Sequence, residues 1–227
     1  MPNGVKIDKM DILLFQSTEK LASHCQLKNF IHFLHCNGIK GPIRFAFIEA
    51  DAPLLNNLTI RQNIHLDSIP QTMTQSGDFQ LKEHLQENCN PHLSKILDCI
   101  GLLDELPTNV DDQTRKLAGL LKGLLQKADY LFLESPEKYL SKDNLKIFIK
   151  AMEFQTANTG QIVFINSDQE SLWHPYISKT VSRRPSENFE ILAVNKQGTG
   201  EPFQEAPETK EGVLQFYNLD KNKGRAA

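Results

Sequence analysis

Short apolar runs alternate with stretches of helical period along most of this chain, and that alternation restricts the fold more than any other feature. Runs such as MDILLFQS (10–17) and QIVFINSD (161–168) have the apolar density of buried strands. QLKNFIHFLHC (26–36) instead spaces its apolar residues as one face of a helix does. Strands that alternate with helices of about 10 to 16 residues predict βαβ units and a largely parallel sheet.

The remaining predicted elements continue this order. Further strands are predicted over 41–51, 130–133 and 189–195, and further helices over 92–106, 113–128 and 142–157. We expect the helix over 92–106 to end at Pro107, because proline cannot continue a helix.

Two segments are too polar to predict regular structure. Residues 67–91 are turn-rich and poorly periodic, and 196–211 are rich in Gly, Pro, Glu, Gln and Thr, which predicts a linker. The apolar cluster GVLQFYNL (212–219) follows this linker. It is either a last strand or helix on the core or a docking motif for a partner.

Charge and composition exclude several classes of function. The net charge is -3, and acidic and basic residues are interspersed, so no basic surface for nucleic acid or polybasic segment for a membrane is predicted. No apolar run approaches the roughly 18 to 20 residues of a membrane span, and the N-terminus lacks the apolar run of a signal peptide. The 4 cysteines form no CxxC pair. We therefore expect a cytoplasmic protein with reduced thiols.

Three stretches resemble the ATP-binding cassette (ABC) family of ATPases in sequence and in order. LLNNLTIRQNI (54–64) resembles the segment after the family's Q-loop. KLAGLLKGLLQKADYLFLESPEKYLS (116–141) resembles the helix, Walker B strand and D-loop, and GQIVFINSDQESL (160–172) resembles the strand that ends in the switch histidine. The resemblance covers roughly residues 11–180.

This resemblance implies an α/β fold of the P-loop NTPase type. Its mostly parallel sheet is flanked by helices, and a small helical subdomain is expected at about 67–125. Residues 1–195 would form the ABC ATPase-like domain, and 196–227 would form a linker and a C-terminal tail.

The position of the family's Walker A motif falls on TEKLASHC (18–25). A phosphate-binding loop uses glycine backbone to surround the phosphates, a lysine to reach them and a hydroxyl to bind magnesium. Here Thr18 and Ser23 replace the glycines, His24 replaces the lysine and Cys25 replaces the hydroxyl. Side chains at glycine positions restrict the required positive φ angles, so the resemblance implies a degenerate cradle.

Four further positions of the family's ATP site also differ. Ala50 stands at the Q-loop glutamine, Glu134 at the Walker B aspartate, Ser135 at the catalytic glutamate and Ser167 at the switch histidine. A serine is not a general base at neutral pH without help. The resemblance therefore implies no catalytic residue, no bound cofactor and no metal.

The family's signature motif aligns with VDDQT (110–114). Asp111 and Asp112 would place carboxylates where a helix N-terminus should bind an anionic phosphate. The same residues suit a helix N-cap, and we favour that interpretation. The stretch before Thr18 is also too short for the family's N-terminal antiparallel strands and the aromatic residue that stacks on adenine.

Two features permit a metal but do not favour one. His32, His35 and Cys36 lie at helical spacing, yet no fourth ligand is in view, so helix packing or exposed side chains are favoured. Glu134 is expected to be hydrogen-bonded at the end of its strand rather than metal-bound, because the phosphates that would share a magnesium ion are not held.

The function predicted from these features is that of a catalytically inactive ABC ATPase-like protein, or pseudo-ATPase, serving as an interaction, scaffold or regulatory subunit. In the family, a groove beside the Q-loop receives a helix from a membrane partner. Here Pro53, Leu54, Leu55 and Leu58 would line it. The expected partner is a membrane subunit, an active ABC ATPase or a second copy that meets the D-loop segment 139–141.

Two alternatives retain the nucleotide. One is a divergent NTPase or kinase that uses Glu134 with magnesium and a rearranged loop at 17–25, in which Lys20 is the basic residue. The other is a sensor that binds nucleotide without hydrolysing it and needs the same loop.

Overall fold

A computed structural model describes residues 6–16, 23–37, 42–66, 68–69, 80–87, 90–183 and 189–194. Six strands form one sheet in this part of the chain: β1 (Ile12–Gln16), β2 (Phe45–Ile48), β3 (Tyr130–Glu134), β4 (Ile162–Asn166), β5 (Lys179–Arg183) and β6 (Phe189–Ala193).

Helices cover both faces of the sheet. They are α1 (Ser23–Cys36), α2 (Ile60–His65), α3 (Leu81–Glu87), α4 (Pro91–Ile100), α5 (Asp112–Leu125), α6 (Lys142–Thr159) and the short α7 (Glu170–Trp173), with a 3-10 turn at Pro107–Asn109. No helix among the described residues is long and apolar enough to cross a bilayer.

The strand order is β2-β3-β4-β1-β5-β6. The first five strands are parallel to one another, and β6 runs antiparallel to β5. A helix lies between each two successive strands from β1 to β5, as the alternating pattern predicted. The predicted fold class, a mostly parallel sheet flanked by helices, is confirmed.

The sheet separates two apolar clusters. Along β1, Leu13 and Phe15 face α1, whereas Ile12 and Leu14 face the larger helical layer. On the α1 side, Phe15 and Phe30 pack edge-on with ring centroids 6.4 Å apart. A parallel sheet buried on both faces requires continuous apolar strands, which explains runs such as ILLF in β1.

The predicted helix over 92–106 is wrong at its end, because α4 ends at Ile100. Gly101 follows with a φ of 66°, a positive value that glycine adopts readily, and the helix ends there. Beyond it, the carbonyls of Leu103 and Glu105 accept the N–H groups of Arg61 and Ile60. The chain therefore pairs with the start of α2 instead of continuing as a helix.

The elements that were not predicted include α2, α3, the short α7 and β5. α2 has a capping box between Thr59 and Gln62, and α3 lies within the polar segment that was expected to be irregular. β5 was missed because its sequence, KTVSR, is polar. Its Lys179 is buried and forms ion pairs with Asp8 and Asp11, which offset the cost of burial. The predicted linker and GVLQFYNL lie outside the described residues.

Close packing of α5 against the loop after β2 generates a test of the fold. A Cβ on Gly119 would lie 2.6 Å from the Cβ of Ala52, and Ala52 itself has a φ of 44°. We expect Gly119→Ala to lower the free energy of unfolding by about 1–3 kcal/mol, through overpacking, despite the better helix propensity of alanine. Urea denaturation measures this change.

The double variant Ala52→Gly/Gly119→Ala is the matched control. It removes the clashing Cβ and places glycine at the positive φ, so it should recover most of the lost stability. A Gly119→Ala protein as stable as the wild type would contradict this packing.

Candidate functional site

The carboxyl ends of four parallel strands meet at one edge of the sheet. β1 ends at Gln16, β2 at Ile48, β3 at Glu134 and β4 at Asn166. Open α/β sheets bind their ligands outside this edge, where the loops after the strands converge. The candidate site is therefore formed by the loops that follow these strands.

Glu134 is the buried carboxylate of this edge. Its side chain is held on β3, its residue is 7% exposed, and its Oε2 accepts the backbone N–H of Ala50 at 3.1 Å. Because β2 and β3 are paired in register, with Ile48 opposite Leu133, the loop after β2 lies within reach of this carboxylate. The hydrogen bond joins that loop to the end of β3.

Lys116 brings a buried ammonium group from α5 to the same place. Its Nζ donates to the carbonyl oxygen of Ala50 at 2.8 Å and to those of Glu49 and Glu134 at 3.3 Å each. Burial lowers the pKa of Lys116 to about 8, and the negative charges of Glu137 and Asp51 oppose that shift. The three carbonyls match the three protons of an ammonium group, which compensates for the loss of water.

Glu137 lies in the turn after β3 and is also buried. Its Oε1 accepts the hydroxyl proton of Ser167 at 2.6 Å, and its Oε2 accepts the indole N–H of Trp173 at 3.1 Å. Both carboxylate oxygens are therefore engaged inside the protein. These contacts join the turn after β3 to the loop after β4 and to α7.

A third connection is formed at the surface. Asp51 accepts hydrogen bonds from the Lys138 ammonium at 2.5 Å and from the Tyr139 hydroxyl at 3.0 Å. The bond from Lys138, and after it the bond from Tyr139, holds the pKa of Asp51 below its usual range. The groups are largely exposed, so the ion pair contributes little stability. It does orient the turn relative to the loop after β2.

Strained backbone lies in the same two loops. Ala52, Ser135 and Tyr139 have φ angles of 44°, 40° and 67°, in the left-handed region that non-glycine residues seldom occupy. Such conformations persist only where surrounding contacts determine them. Here the bonds of Glu134, Lys116 and Glu137 supply those contacts.

Comparison with known proteins identifies this architecture. No family model matches the sequence, and no curated protein matches it. Among solved structures, the ATP binding subunit of an ABC transporter is 13% identical, with a TM-score of 0.56 over 77% of this chain and 75% of that chain.

Two other solved structures have the same architecture. A dimeric ATP-binding cassette in a post-hydrolysis state, bound to ADP and Pi, is 10% identical, with a TM-score of 0.59 over 85% of this chain and 89% of that one. The cbiO1 protein from Clostridium perfringens, part of the ABC transporter complex cbiONQ, is 12% identical, with a TM-score of 0.51 over 78% and 75%. This chain has the ABC ATPase fold.

The residues predicted at the Walker A position of this ABC ATPase-like chain are only partly described. Thr18 lies outside the described residues. Ser23 and His24 open α1, and Cys25 is half-buried in its first turn. The degeneracy of the phosphate-binding loop at 18–25 therefore stays a prediction.

The predicted Q-loop, Walker B and switch positions lie together at the edge of the sheet. Ala50 donates its N–H to Glu134, and Ser135 donates its own N–H to the carbonyl of Asn166 at 2.7 Å. Ser167 donates its hydroxyl to Glu137. The structure brings these residues into one network, joined by protein contacts.

The predicted N-cap at the signature position is confirmed. The side chain of Asp111 accepts the N–H of Thr114 at 2.7 Å. Hydrogen bonds from the side chain of Thr114 and then from its backbone hold the pKa of Asp111 below its usual range. Asp112 forms an ion pair with Arg115 in the first turn of α5.

The four predicted partner-binding residues differ in exposure. Pro53 and Leu55 are exposed, Leu55 by 50%, whereas Leu58 is half-buried. Leu54 packs against the main apolar cluster. An aspartate at Leu54 would therefore disturb the fold, and the interaction hypothesis is best tested at Leu55.

Sequence reasoning missed three residues that shape this edge. Lys116 was placed only within the predicted helix over 113–128, and Glu137 only within the stretch that resembles the Walker B strand and D-loop. Asn63 is buried in α2, where it accepts the N–H of Leu55 at 2.8 Å and donates to three carbonyls of the same loop. A lysine amid the apolar residues of α5 was the available signal for the first of them.

A cleft of about 450 Å³ opens between α2, α3 and α4. Arg61, Lys82, Asp98 and Leu103 are among the residues that line it. None of the four predicted partner-binding residues does so.

Burial of Lys116 predicts a specific dependence of stability on pH. The pKa of Lys116 is about 8 in the folded protein, below its ordinary value of 10.5. Between these pH values the unfolded chain binds more protons at this group, so its contribution to stability rises with pH. The difference in unfolding free energy between the wild type and Lys116→Met should therefore increase from pH 8 to pH 10.

Urea denaturation of both proteins at each pH measures that difference. The exposed Lys127→Met is the control for removing one positive charge. A difference between the wild type and Lys116→Met that stays flat or falls over this range would contradict the buried ammonium.

Proposed function

We propose that this chain is a catalytically inactive ABC ATPase-like protein that acts through a protein partner, as an interaction or regulatory subunit. The observation that carries the proposal is the buried ammonium of Lys116 beside Glu134, at the edge where this fold binds its ligands. There Glu134, at the Walker B position, accepts a hydrogen bond from the backbone N–H of Ala50.

Electrostatics support the absence of magnesium chemistry. The ammonium of Lys116 already attracts the carboxylates of Glu137, Asp51 and Glu134. A divalent cation bound to Glu134 would share the carboxylate with the N–H of Ala50 and lie close to that ammonium. The repulsion between two buried cations disfavours such a state.

The two serines at the predicted catalytic positions supply no replacement catalyst. Ser135, after β3, carries no group that takes a proton at neutral pH. The hydroxyl of Ser167, after β4, donates its proton to Glu137, and Trp173 occupies the other oxygen of that carboxylate. A water activated for attack on a phosphate would have no base among these residues.

The loop after β2 supports a role in protein binding. Leu55 exposes an apolar side chain, while Asn63 bonds the backbone around it on both sides. A rigid loop that presents an apolar side chain binds a partner at low entropic cost. We propose that this loop contacts the partner, a membrane subunit or an active ABC ATPase.

The first test is nucleotide binding by the purified full chain. We expect isothermal titration with ATP, ADP and GTP, with and without magnesium, to show no saturable binding at millimolar nucleotide. A ligand that binds only the folded state raises the melting temperature. Since we expect no binding, the melting temperature should stay the same when nucleotide is added.

Two outcomes would contradict the proposal. Saturable binding tighter than about 0.1 mM, near -5.5 kcal/mol, would show an intact nucleotide site. Magnesium-dependent ATP hydrolysis by Ser135→Glu would show that the chain lacked only its general base. An active ABC ATPase serves as the positive control in both assays.

The second test concerns the proposed partner surface. We expect Leu55→Asp to abolish recovery of a membrane subunit or ABC ATPase partner in affinity capture. The partner would cover the aspartate in the complex and leave its charge buried without a partner group. Urea denaturation should show a stability change within about 0.5 kcal/mol, since the side chain is exposed.

Leu192→Asp is the matched control. Leu192 is also 50% exposed but lies on β6, at the opposite end of the strand order from β2. Equal recovery by Leu55→Asp and the wild type, or an equal loss in Leu192→Asp, would contradict a partner surface at the loop after β2.

A further inference from the structure

β2 forms one edge of the sheet, and its sequence leaves that edge open to pairing. It stands first in the strand order, and among the described strands it pairs with β3 alone. Edge strands of stable proteins usually carry a charge, a proline or a bulge, which hinders pairing with another strand. FAFI (45–48) has no charged residue and no proline, whereas β6 at the opposite edge contains Glu190. The β2 edge is therefore the better site for a further strand.

Backbone geometry directs two residues of β2 toward the open side. The carbonyl of Arg44 accepts the N–H of Tyr130 at 3.2 Å, so it faces β3. Successive residues of a strand direct their backbone groups to alternate sides, so those of Ala46 also face β3. The N–H and C=O groups of Phe45 and Phe47 therefore point to the open side.

Aromatic side chains lie at the same edge. Phe45 is 41% exposed, and its ring meets that of the buried Phe30 with centroids 6.4 Å apart. The half-buried Phe47 stacks on Phe132 of β3, with ring centroids 5.0 Å apart. An added strand with apolar or aromatic side chains would pack against these rings and remove them from water.

The chain itself contains a suitable strand. GVLQFYNL (212–219) has five apolar or aromatic side chains and neither a charged residue nor a proline. The 17 residues 195–211 connect it to the end of β6. At about 4.8 Å per strand, a position beside β2 is about 29 Å across the sheet from β6. An extended connection of this length spans up to about 56 Å, so it is long enough.

The end of β6 lies at the edge of the sheet from which β2 starts. β6 runs antiparallel to β5, and the N–H of Val194 donates at 2.9 Å to the carbonyl of Ser178, just before β5. β2 and β5 both belong to the parallel part of the sheet, so β2 begins at this same edge. A strand that enters from there runs parallel to β2, and parallel strands need a connection of about a dozen residues or more.

We propose that residues 212–219 form a further strand of this sheet, beside β2 and parallel to it. The outward N–H and C=O groups of Phe45 and Phe47 bond the added strand, as in strand addition to an exposed sheet edge. The strand also covers the ring of Phe45. The interaction is intramolecular and is independent of nucleotide binding.

Amide hydrogen exchange of the full chain, resolved by residue with NMR, tests the proposal. We expect 212–219 and the N–H of Phe47 to exchange at least about tenfold more slowly than unstructured amides. Phe216→Pro breaks the added strand and changes no residue of the described part of the chain. It should speed exchange at Phe47 by at least about tenfold, while the N–H of Ala46, which faces β3, keeps its protection.

Phe45→Pro tests the other side of the same contact. Proline is tolerated at the first residue of an edge strand but removes the outward N–H and the exposed ring. Exchange over 212–219 should then match that of unstructured amides. Ala193→Pro is the matched control, because Ala193 is exposed and lies on β6, where its N–H points away from β5. It should leave the protection of 212–219 unchanged.

Circular dichroism checks that each variant is folded. Unprotected amides over 212–219 in the wild type would overturn the proposal, as would unchanged exchange at Phe47 in Phe216→Pro. Protection that persists in Phe45→Pro, or that is lost equally in Ala193→Pro, would place the segment elsewhere. Protection that rises with protein concentration would assign the added strand to a second copy of the chain.

Discussion

The buried ammonium of Lys116 is the contact on which the edge of this sheet depends. It extends from α5 and donates to carbonyls in the loop after β2 and at the end of β3. An ammonium placed away from water is stable only while each proton has an acceptor. The position of α5 therefore determines where both loops lie, and Gly119, which packs on Ala52, allows the helix to approach that closely.

Around this contact, two carboxylates accept hydrogen bonds that connect neighbouring loops. Glu134 binds the N–H of Ala50, and Glu137 binds Ser167 and Trp173. In a nucleotide hydrolase, carboxylates in such loops bind metal and activate water. Here each accepts hydrogen bonds from the protein itself, which stabilises the loops without a ligand and supports the proposed pseudo-ATPase.

Retention of the fold at 10–13% identity has a physical explanation. The sheet is buried on both faces, and its strands need only apolar residues of suitable size, as in LLF of β1 and LFL of β3. The positions that perform chemistry carry few of these packing constraints. A chain can therefore keep the architecture while its loops acquire other residues and other roles.

The sequence by itself determined the alternation of β1 to β4 and β6 with the longer helices, the parallel sheet and the N-cap at Asp111, because each depends on local periodicity or on a side chain near its own backbone. Sequence reasoning placed the end of α4 wrongly because it took Pro107 instead of Gly101 as the end of the helix. It missed β5 because Lys179 is paired with Asp8 and Asp11, which are distant in the chain. It located Ala50, Glu134 and Ser167 but not the groups they bind. Only the tertiary structure decided that Lys116 and Glu137 lie among them, because burial and charge pairing there join residues from α5, β2, β3 and β4.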